Sequence, residues 1–387
     1  MCKKNDKELF EKNIDTEKKM KIGIMTFWWS DDNYGQLLQC YALQKYLRDN
    51  GHEPYLIRYK WYSDVIKNPL PIRILKLLNP FFVYKFLKNK RNKSLIKEEV
   101  ANNSRHFDDF RNRYIAQSEK LFLSLKQLQE NPPSADVYVV GSDQVWNFFD
   151  NPVRRFRNVM HAYFLDFGLP GTKRISYAAS WGVKNISNEY VKEFSPLLKR
   201  FDYVSVREEN GVDLCRQCGV NSAKWEPDPT LLLSADIYRE LYKENPVNKP
   251  QGKYLVLYAV NNDSKFDIQA VYDFAKSKNL EVVYITGNGT IDKYPKFFAT
   301  IPEWLYLIDN AEYVITNSFH CCVFSILFHK QFAALALNGK NAGMNSRLDS
   351  LFKCCQIEPR LIYTKDFSVM DKPYIPNFDF NVKTYFT

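Results

Sequence analysis

Short apolar runs that stop abruptly at a polar or small-residue turn recur along the chain, and they constrain its fold more than any other feature. Lys21-Ile22-Gly23-Ile24-Met25-Thr26 runs into WWSDDNYG. The next segment, QLLQCYALQKYLRDNGHEP, spaces its apolar residues at three and four positions and stops at Asn50-Gly51, the pattern of an amphipathic helix with a glycine end. Tyr55-Leu56-Ile57-Arg58-Tyr59 then reads as a second strand. Strand, helix and strand within about 40 residues make a βαβ unit, and such a unit builds a parallel sheet.

The pattern repeats. Ala135 to Val140 precedes GSDQVWN, Arg174 to Ala179 precedes SWG, and Tyr203 to Val206 precedes REENGVDLCRQCG. Because ligands of open α/β sheets bind outside the carboxyl ends of the strands, these turns are expected to share one rim. A polar, proline-bearing stretch, Asn245-Pro246-Val247-Asn248-Lys249-Pro250-Gln251-Gly252, reads as a linker. Beyond it Tyr254–Val260, Glu281–Thr286 and Glu312–Thr316 read as strands, and Asp267–Lys278 and Ser318–Phe328 as helices. A chain of 387 residues also exceeds what one core normally supports. The expected fold class is therefore α/β, with two Rossmann-like domains facing a cleft. The expected division is a disordered tail over 1–20, an N-terminal domain over 21–245, a C-terminal domain over 253–365, and an extension over 366–387.

Charge is concentrated in one place. The formal net charge is +10, yet 66–97 alone holds nine Lys or Arg and no Asp or Glu, leaving about +1 for everything else. This basic insertion interleaves lysines with apolar residues, as either a solvated helical insertion packed on its domain or a face for anionic membrane would. No nucleic-acid-binding motif accompanies it, so nucleic acid is not an expected partner. With no long apolar run and a polar start, the chain reads as cytoplasmic, at most peripheral to the inner membrane. The eight cysteines lack the paired spacing of a zinc site, and neither metal nor cofactor is expected.

Several residues sit where chemistry would be done. His320 follows a strand end and opens a helix, where free amides favour anions and an imidazole near neutral pH moves protons; Asn317 or Ser318 beside it is equally an ordinary helix cap. Arg207, ending a strand, offers a fork of donors for phosphate or carboxylate, or a salt bridge to Glu208 and Glu209. Arg347, in GMNSRLDSLF, reaches either the cleft or solvent. The turn Asp31-Asp32-Asn33 before Gly35 suits sugar hydroxyls, with Trp28 and Trp29 as stacking faces or core. In Gly141-Ser142-Asp143-Gln144, Asp143 either accepts a hydroxyl proton or caps a helix. Neither a dinucleotide fingerprint nor a Walker-type phosphate loop occurs. Glu226-Pro227-Asp228-Pro229-Thr230 reads as a rigid turn whose carboxylates serve either the site or the hinge, with the structural role preferred.

Together the stretches KIGIMTFWWSDDNYGQLLQCYALQKYL, VGSDQVWN, ISYAASWG, VSVREENGVDLC, EPDPTLLL, VITNSFHCCVFSILF and NSRLDSLF, in this order from about Lys21 to Ile357, resemble the polysaccharide pyruvyl transferase family. The resemblance implies a GT-B-like fold with the site in the cleft, the N-terminal domain being the acceptor side and the C-terminal domain the donor side. It also implies phosphoenolpyruvate as co-substrate, a sugar or lipid-linked oligosaccharide acceptor, and a pyruvate ketal plus phosphate as products, in bacterial capsule or exopolysaccharide biosynthesis. On this likeness Arg207 binds the donor's anionic groups and His320 is the acid/base or donor-binding residue. His320 and Asp143 are then the catalytic candidates, and Arg207, Arg347, Ser318, Asn317, Asn33, Gly35 and Asp32 the substrate-binding ones. The family motif carries an arginine where Ser318 stands, so a second cationic donor contact is either missing or supplied by Arg347 or Arg174. The rival readings are a GT-B glycosyltransferase using a nucleotide sugar and a non-catalytic glycan- or membrane-binding assembly protein.

Overall fold

The computed structural model describes residues 19–61, 98–147, 153–260, 266–288, 290–363 and 365–380, with isolated positions between 64 and 96. The tail over 1–18, nearly all of the basic insertion and the last residues, 381–387, lie outside the described residues.

The first half alternates strand and helix: β1 (Lys21–Met25), α1 (Tyr34–Asp49), β2 (Glu53–Leu56), α2 (Phe107–Tyr114), α3 (Leu125–Glu130), β3 (Val137–Val140), α4 (Val153–Tyr163), β4 (Lys173–Ala179), α5 (Asn188–Leu198), β5 (Tyr203–Val206), α6 (Glu209–Gln217), β6 (Lys224–Trp225) and α7 (Ala235–Lys243). The second half continues with β7 (Tyr254–Ala259), α8 (Ile268–Ser277), β8 (Glu281–Thr286), α9 (Ile301–Asn310), β9 (Tyr313–Thr316), α10 (Phe319–Leu327), β10 (Gln331–Leu335), α11 (Ser346–Cys354) and β11 (Leu361–Ile362). The strands form two sheets, ordered β2-β1-β3-β4-β5-β6 and β11-β10-β9-β7-β8. Every pairing is parallel.

The fold class is the expected one: two Rossmann-like α/β units in a GT-B-like arrangement. The second strand begins earlier than expected, at Glu53 rather than Tyr55, because Lys21 and Glu53 open the parallel register with β1. Both sheets reverse strand order at an equivalent point, between β1 and β3 and between β7 and β9. Such a reversal leaves a crevice at the strands' carboxyl ends, where open α/β sheets bind ligands.

The two units share a core. Tyr34, opening α1, stacks on Trp304 of α9 with ring centroids 5.0 Å apart and planes 7° from parallel, and its hydroxyl donates to the Ala299 carbonyl at 2.7 Å. All nine residues of α10 are buried, so this helix lies within the molecule rather than on its surface. Polar bonds add to the apolar contact: Asp32 Oδ2 accepts from the Asn288 amide at 2.6 Å, and Arg105 donates to the Thr286 carbonyl at 2.7 Å and to the Asn288 side chain. Residues 366–380 fold back on the second unit, where Tyr374 donates to the Lys330 carbonyl at 2.8 Å.

Candidate active site

Four consecutive strands of the first sheet end in polar residues that converge. After β3 come Ser142 and Asp143, after β4 Ser180, after β5 Arg207 and Glu208, and after β6 Asp228. The second unit supplies His320 from the first turn of α10 and Arg347 from α11. All are nearly or fully buried, including the charged Arg207 at 3% exposure, Asp228 at 1% and His320 at 6%. Charges so deep must be paired, because an isolated one costs several kcal/mol or more.

Asp228 is the hub of that pairing. Its Oδ2 accepts from Arg207 Nη1 at 2.8 Å and from Ser142 Oγ at 2.8 Å, and lies 3.5 Å from His320 Nε2. Its Oδ1 accepts from the amide of Thr230 at 3.0 Å and from its hydroxyl at 2.7 Å. Burial pushes the carboxyl upward, but the His320 and Arg207 charges outweigh it and hold Asp228 far below the usual carboxylate range. Arg207 shows the converse: burial opposes its charge, yet Asp228, Glu208 and Asp143 raise it above the ordinary guanidinium value. Glu208 is itself anchored, accepting from the Ser180 hydroxyl and from the Trp181 amide at 3.2 Å.

Part of Arg207 is unused. Its guanidinium lies over the Phe319 ring at 4.2 Å, and Nη1 is taken by Asp228. Nε and Nη2 are buried and make no hydrogen bond among the described residues, although Glu208 Oε1 lies 3.7 Å from Nε. These two donors form the side-on edge of the fork, which fits a carboxylate or phosphate in two-pronged fashion. A second buried guanidinium stands close by. Burial, followed by repulsion from Arg207, brings Arg347 down to about 10. Two cations in mutual repulsion favour an added anion.

The His320 ring is confined on its other side by Gly35. A Cβ at Gly35 would lie 2.1 Å from His320 Nδ1, so the helix α1 approaches the imidazole as closely as its backbone allows. Asp143 occupies a left-handed conformation, φ 54°, with Oδ1 accepting from the Gln144 amide at 2.8 Å.

The structure thus brings together His320, Arg207, Arg347, Asp143 and Gly35. It engages the other candidates elsewhere. Asn33 caps α1, its Oδ1 accepting from Gln36 at 3.4 Å, and Asp32 is spent on Asn288. Asn317 Oδ1 accepts from the Val260 amide at 2.8 Å, tying β9 to β7 across the crevice. Ser318 caps α10 by accepting from Cys321 at 3.4 Å. Arg174 lies at the opposite, amino end of β4, donating to the carbonyls of Leu165, Thr172 and Phe167, which leaves Arg347 as the second cation. Trp28 is core, with its indole donating to the Tyr59 carbonyl at 3.1 Å. Asp228 and Ser142 are absent from the sequence-derived site. The Asp-Pro turn reads as structural, and only the placement of β6 beside β5 shows where its carboxylate points.

Among the described residues no group of three or more His, Cys, Asp or Glu could hold a metal ion, and no helix is long and apolar enough to cross a membrane. Two solved structures similar to the chain are UDP-GlcNAc 2-epimerases. That from Neisseria meningitidis, bound to UDP-GlcNAc, has 8% identity and a TM-score of 0.42 over 91% of this chain and 89% of its own. That from Methanocaldococcus jannaschii, in complex with UDP-GlcNAc and UDP, has 10% identity and a TM-score of 0.45 over 91% of each. At that level the likeness adds nothing to what the strand orders establish. No curated protein sequence matches the chain. The model of one family does match, over residues 33–339, a span that includes Asp143, Arg207, Glu208, Asp228 and His320 but ends before Arg347. The chain belongs to the polysaccharide pyruvyl transferase family.

Proposed function

We propose that this transferase takes the pyruvyl unit of phosphoenolpyruvate and builds a pyruvate ketal on two hydroxyls of a sugar, releasing inorganic phosphate. One observation carries the reading: the buried Nε–Nη2 edge of Arg207, which makes no hydrogen bond among the described residues, belongs to a cluster that also holds His320 and Arg347. Phosphoenolpyruvate has two anionic groups, and two guanidiniums and the amides opening α10 are suited to hold them.

The residues account for every proton. His320 Nε2 gives its proton to the methylene carbon, which becomes the methyl group, and the adjacent carbon becomes cationic. The first sugar hydroxyl adds there as its proton passes to Asp143. The second hydroxyl then displaces phosphate, and its proton leaves with the phosphate. Asp143 returns its proton through solvent to His320, restoring the starting state. Proton transfer by a positioned side chain is worth roughly 10²–10⁴-fold, and cationic donors aimed at the leaving phosphate contribute further. Closure of the site removes water that would otherwise capture the cationic carbon.

The acceptor belongs to capsule or exopolysaccharide assembly in this reading, as a sugar or a lipid-linked oligosaccharide. The basic segment over 66–97 would hold the enzyme at an anionic membrane surface near such a lipid. The test is incubation of the protein with phosphoenolpyruvate and a panel of methyl hexopyranosides, following phosphate release and the ketal methyl resonance. Wild type is expected to make both, and His320→Ala to be slower by roughly 10²-fold or more. Wild-type release of phosphate without any ketal would contradict the transfer step.

A further inference from the structure

The carboxylate of Asp228 joins the two units at the reacting centre. Asp228 belongs to the first unit, on the turn after β6, and His320 to the second, on α10. Their contact, 3.5 Å between Oδ2 and Nε2, therefore exists only while the two units face each other as they do here. The separation is ion-pair range but too long for a good hydrogen bond, and Nε2 has no hydrogen-bond partner among the described residues. A proton on Nε2 would lie near a charge without being committed to it. The opposite side of the ring meets the backbone of Gly35. The imidazole is thus clamped between α1 and Asp228.

Asp228 itself cannot turn. Both oxygens are occupied, Oδ1 by Thr230 and Oδ2 by Arg207 and Ser142. It is also held ionised by its neighbours, which removes it from proton transfer near neutral pH. A fixed charge that neither moves nor titrates suits orientation rather than acid–base chemistry.

We propose that Asp228 is a positioning residue: it sets the His320 ring against the donor when the two units close, and it does not anchor the donor. The role rests on the pyruvyl-transfer reading above, since it gives His320 something to donate to. It also has a consequence opposite to that of a supporting partner for Arg207. Replacing the carboxylate by an amide leaves the Nε–Nη2 edge of Arg207 untouched and removes one negative charge beside an anionic ligand.

The experiment compares wild type and Asp228→Asn in two ways. One is the ring-nitrogen NMR spectrum of ¹⁵N-histidine-labelled protein, with His320 assigned by its loss in His320→Gln. The other is calorimetric titration with phosphoenolpyruvate. The expected result is that His320 resonances move in Asp228→Asn, those of the other four histidines stay, and phosphoenolpyruvate binds at least as tightly. Unmoved His320 resonances, or about a tenfold loss of affinity in folded protein, would overturn the proposal. If Asp228→Asn does not fold, Thr230→Val loosens the same carboxylate by removing one donor to Oδ1. A smaller shift of the His320 signals is then expected, and no shift overturns the role. Wild type that binds no phosphoenolpyruvate refutes the donor reading, while the His320 spectra still decide the role of Asp228.

Discussion

Arg207 and Arg347 differ in what they already hold, and the difference predicts their behaviour. Arg207 is tied to Asp228 by one nitrogen and offers two more, whereas Arg347 Nε donates to the Met344 carbonyl at 3.1 Å. Arg347→Ala is expected to weaken phosphoenolpyruvate binding by about tenfold, the order of one charge-assisted hydrogen bond. Arg347→Lys is expected to restore only part of it, because a point charge cannot reproduce a planar fork. An unchanged affinity in Arg347→Ala would leave Arg207 as the sole donor anchor. Gly35 gives a second residue-scale test. With a Cβ meant to sit 2.1 Å from the His320 ring, Gly35→Ala should cost about 1–3 kcal/mol through overpacking. It should also displace the imidazole, seen as a lower melting temperature together with altered His320 resonances. A protein of normal stability and activity would show that α1 gives way, and that the ring is not clamped. Arg207, Asp143 and His320 are legible from sequence because each directly follows an apolar run, so the end of a strand marks them. Asp228 follows a strand of two residues, Lys224–Trp225, too short for any periodicity, and its prolines point to rigidity instead.

Elements fix where such residues land, and their junctions can be tested separately. Tyr34 opens α1 yet donates to Ala299, ahead of α9, so it measures how firmly the two units are joined. Tyr34→Phe keeps the stacked ring and deletes the bond, which should cost about 1–3 kcal/mol since a buried carbonyl loses its partner. Differential unfolding that splits into two transitions would place this bond among the main ties between the units; a single unshifted transition would discount it. Farther from the site, His161 bridges α4, the following turn and α5, with Nδ1 2.8 Å from Asp166 Oδ2 and Nε2 2.9 Å from Glu193 Oε1. Burial lowers its proton affinity, but the two carboxylates outweigh this and raise it above the ordinary histidine value. A raised folded value means that the stabilisation is complete below about pH 6.5, where the unfolded histidine titrates, and is lost as pH rises through the folded value. The melting temperature should therefore fall on that alkaline side in wild type and change less in His161→Gln; parallel curves would exclude the bridge as the cause. The alternation of strands and helices was readable because apolar runs and their turns are local signals. The pairing order was not, since β2-β1-β3 and β9-β7-β8 neighbours depend on crossover geometry that no window of sequence contains. Nor was the role of Asn317, whose side chain reads as a cap until β7 is seen beside β9.

Over the whole molecule, the candidate groups come from both units and are buried between them, so entry of a donor is expected to loosen contacts between the two. Two of the polar ties between the units are the Asp32–Asn288 and Arg105–Thr286 bonds. Asp32→Ala is expected to raise the rate of phosphoenolpyruvate dissociation by severalfold while changing stability by about 1 kcal/mol, as read by stopped-flow. An unchanged rate would assign entry to another part of the cleft. The charge asymmetry belongs to this scale too. Neutralising lysines over 66–97 should weaken sedimentation with phosphatidylserine vesicles by about 1 kcal/mol per charge and leave neutral vesicles unaffected; equal binding to both would remove the membrane role. The donor reading rests above all on Arg207, whose Nε–Nη2 edge makes no hydrogen bond among the described residues and would seat an anionic three-carbon donor. Calorimetric titration of phosphoenolpyruvate into wild type and Arg207→Lys tests it most directly. The account predicts binding to wild type and a loss of about tenfold or more in Arg207→Lys, with the variant still folded. Equal affinity in both, or no binding to wild type even with a sugar diol present, would contradict it.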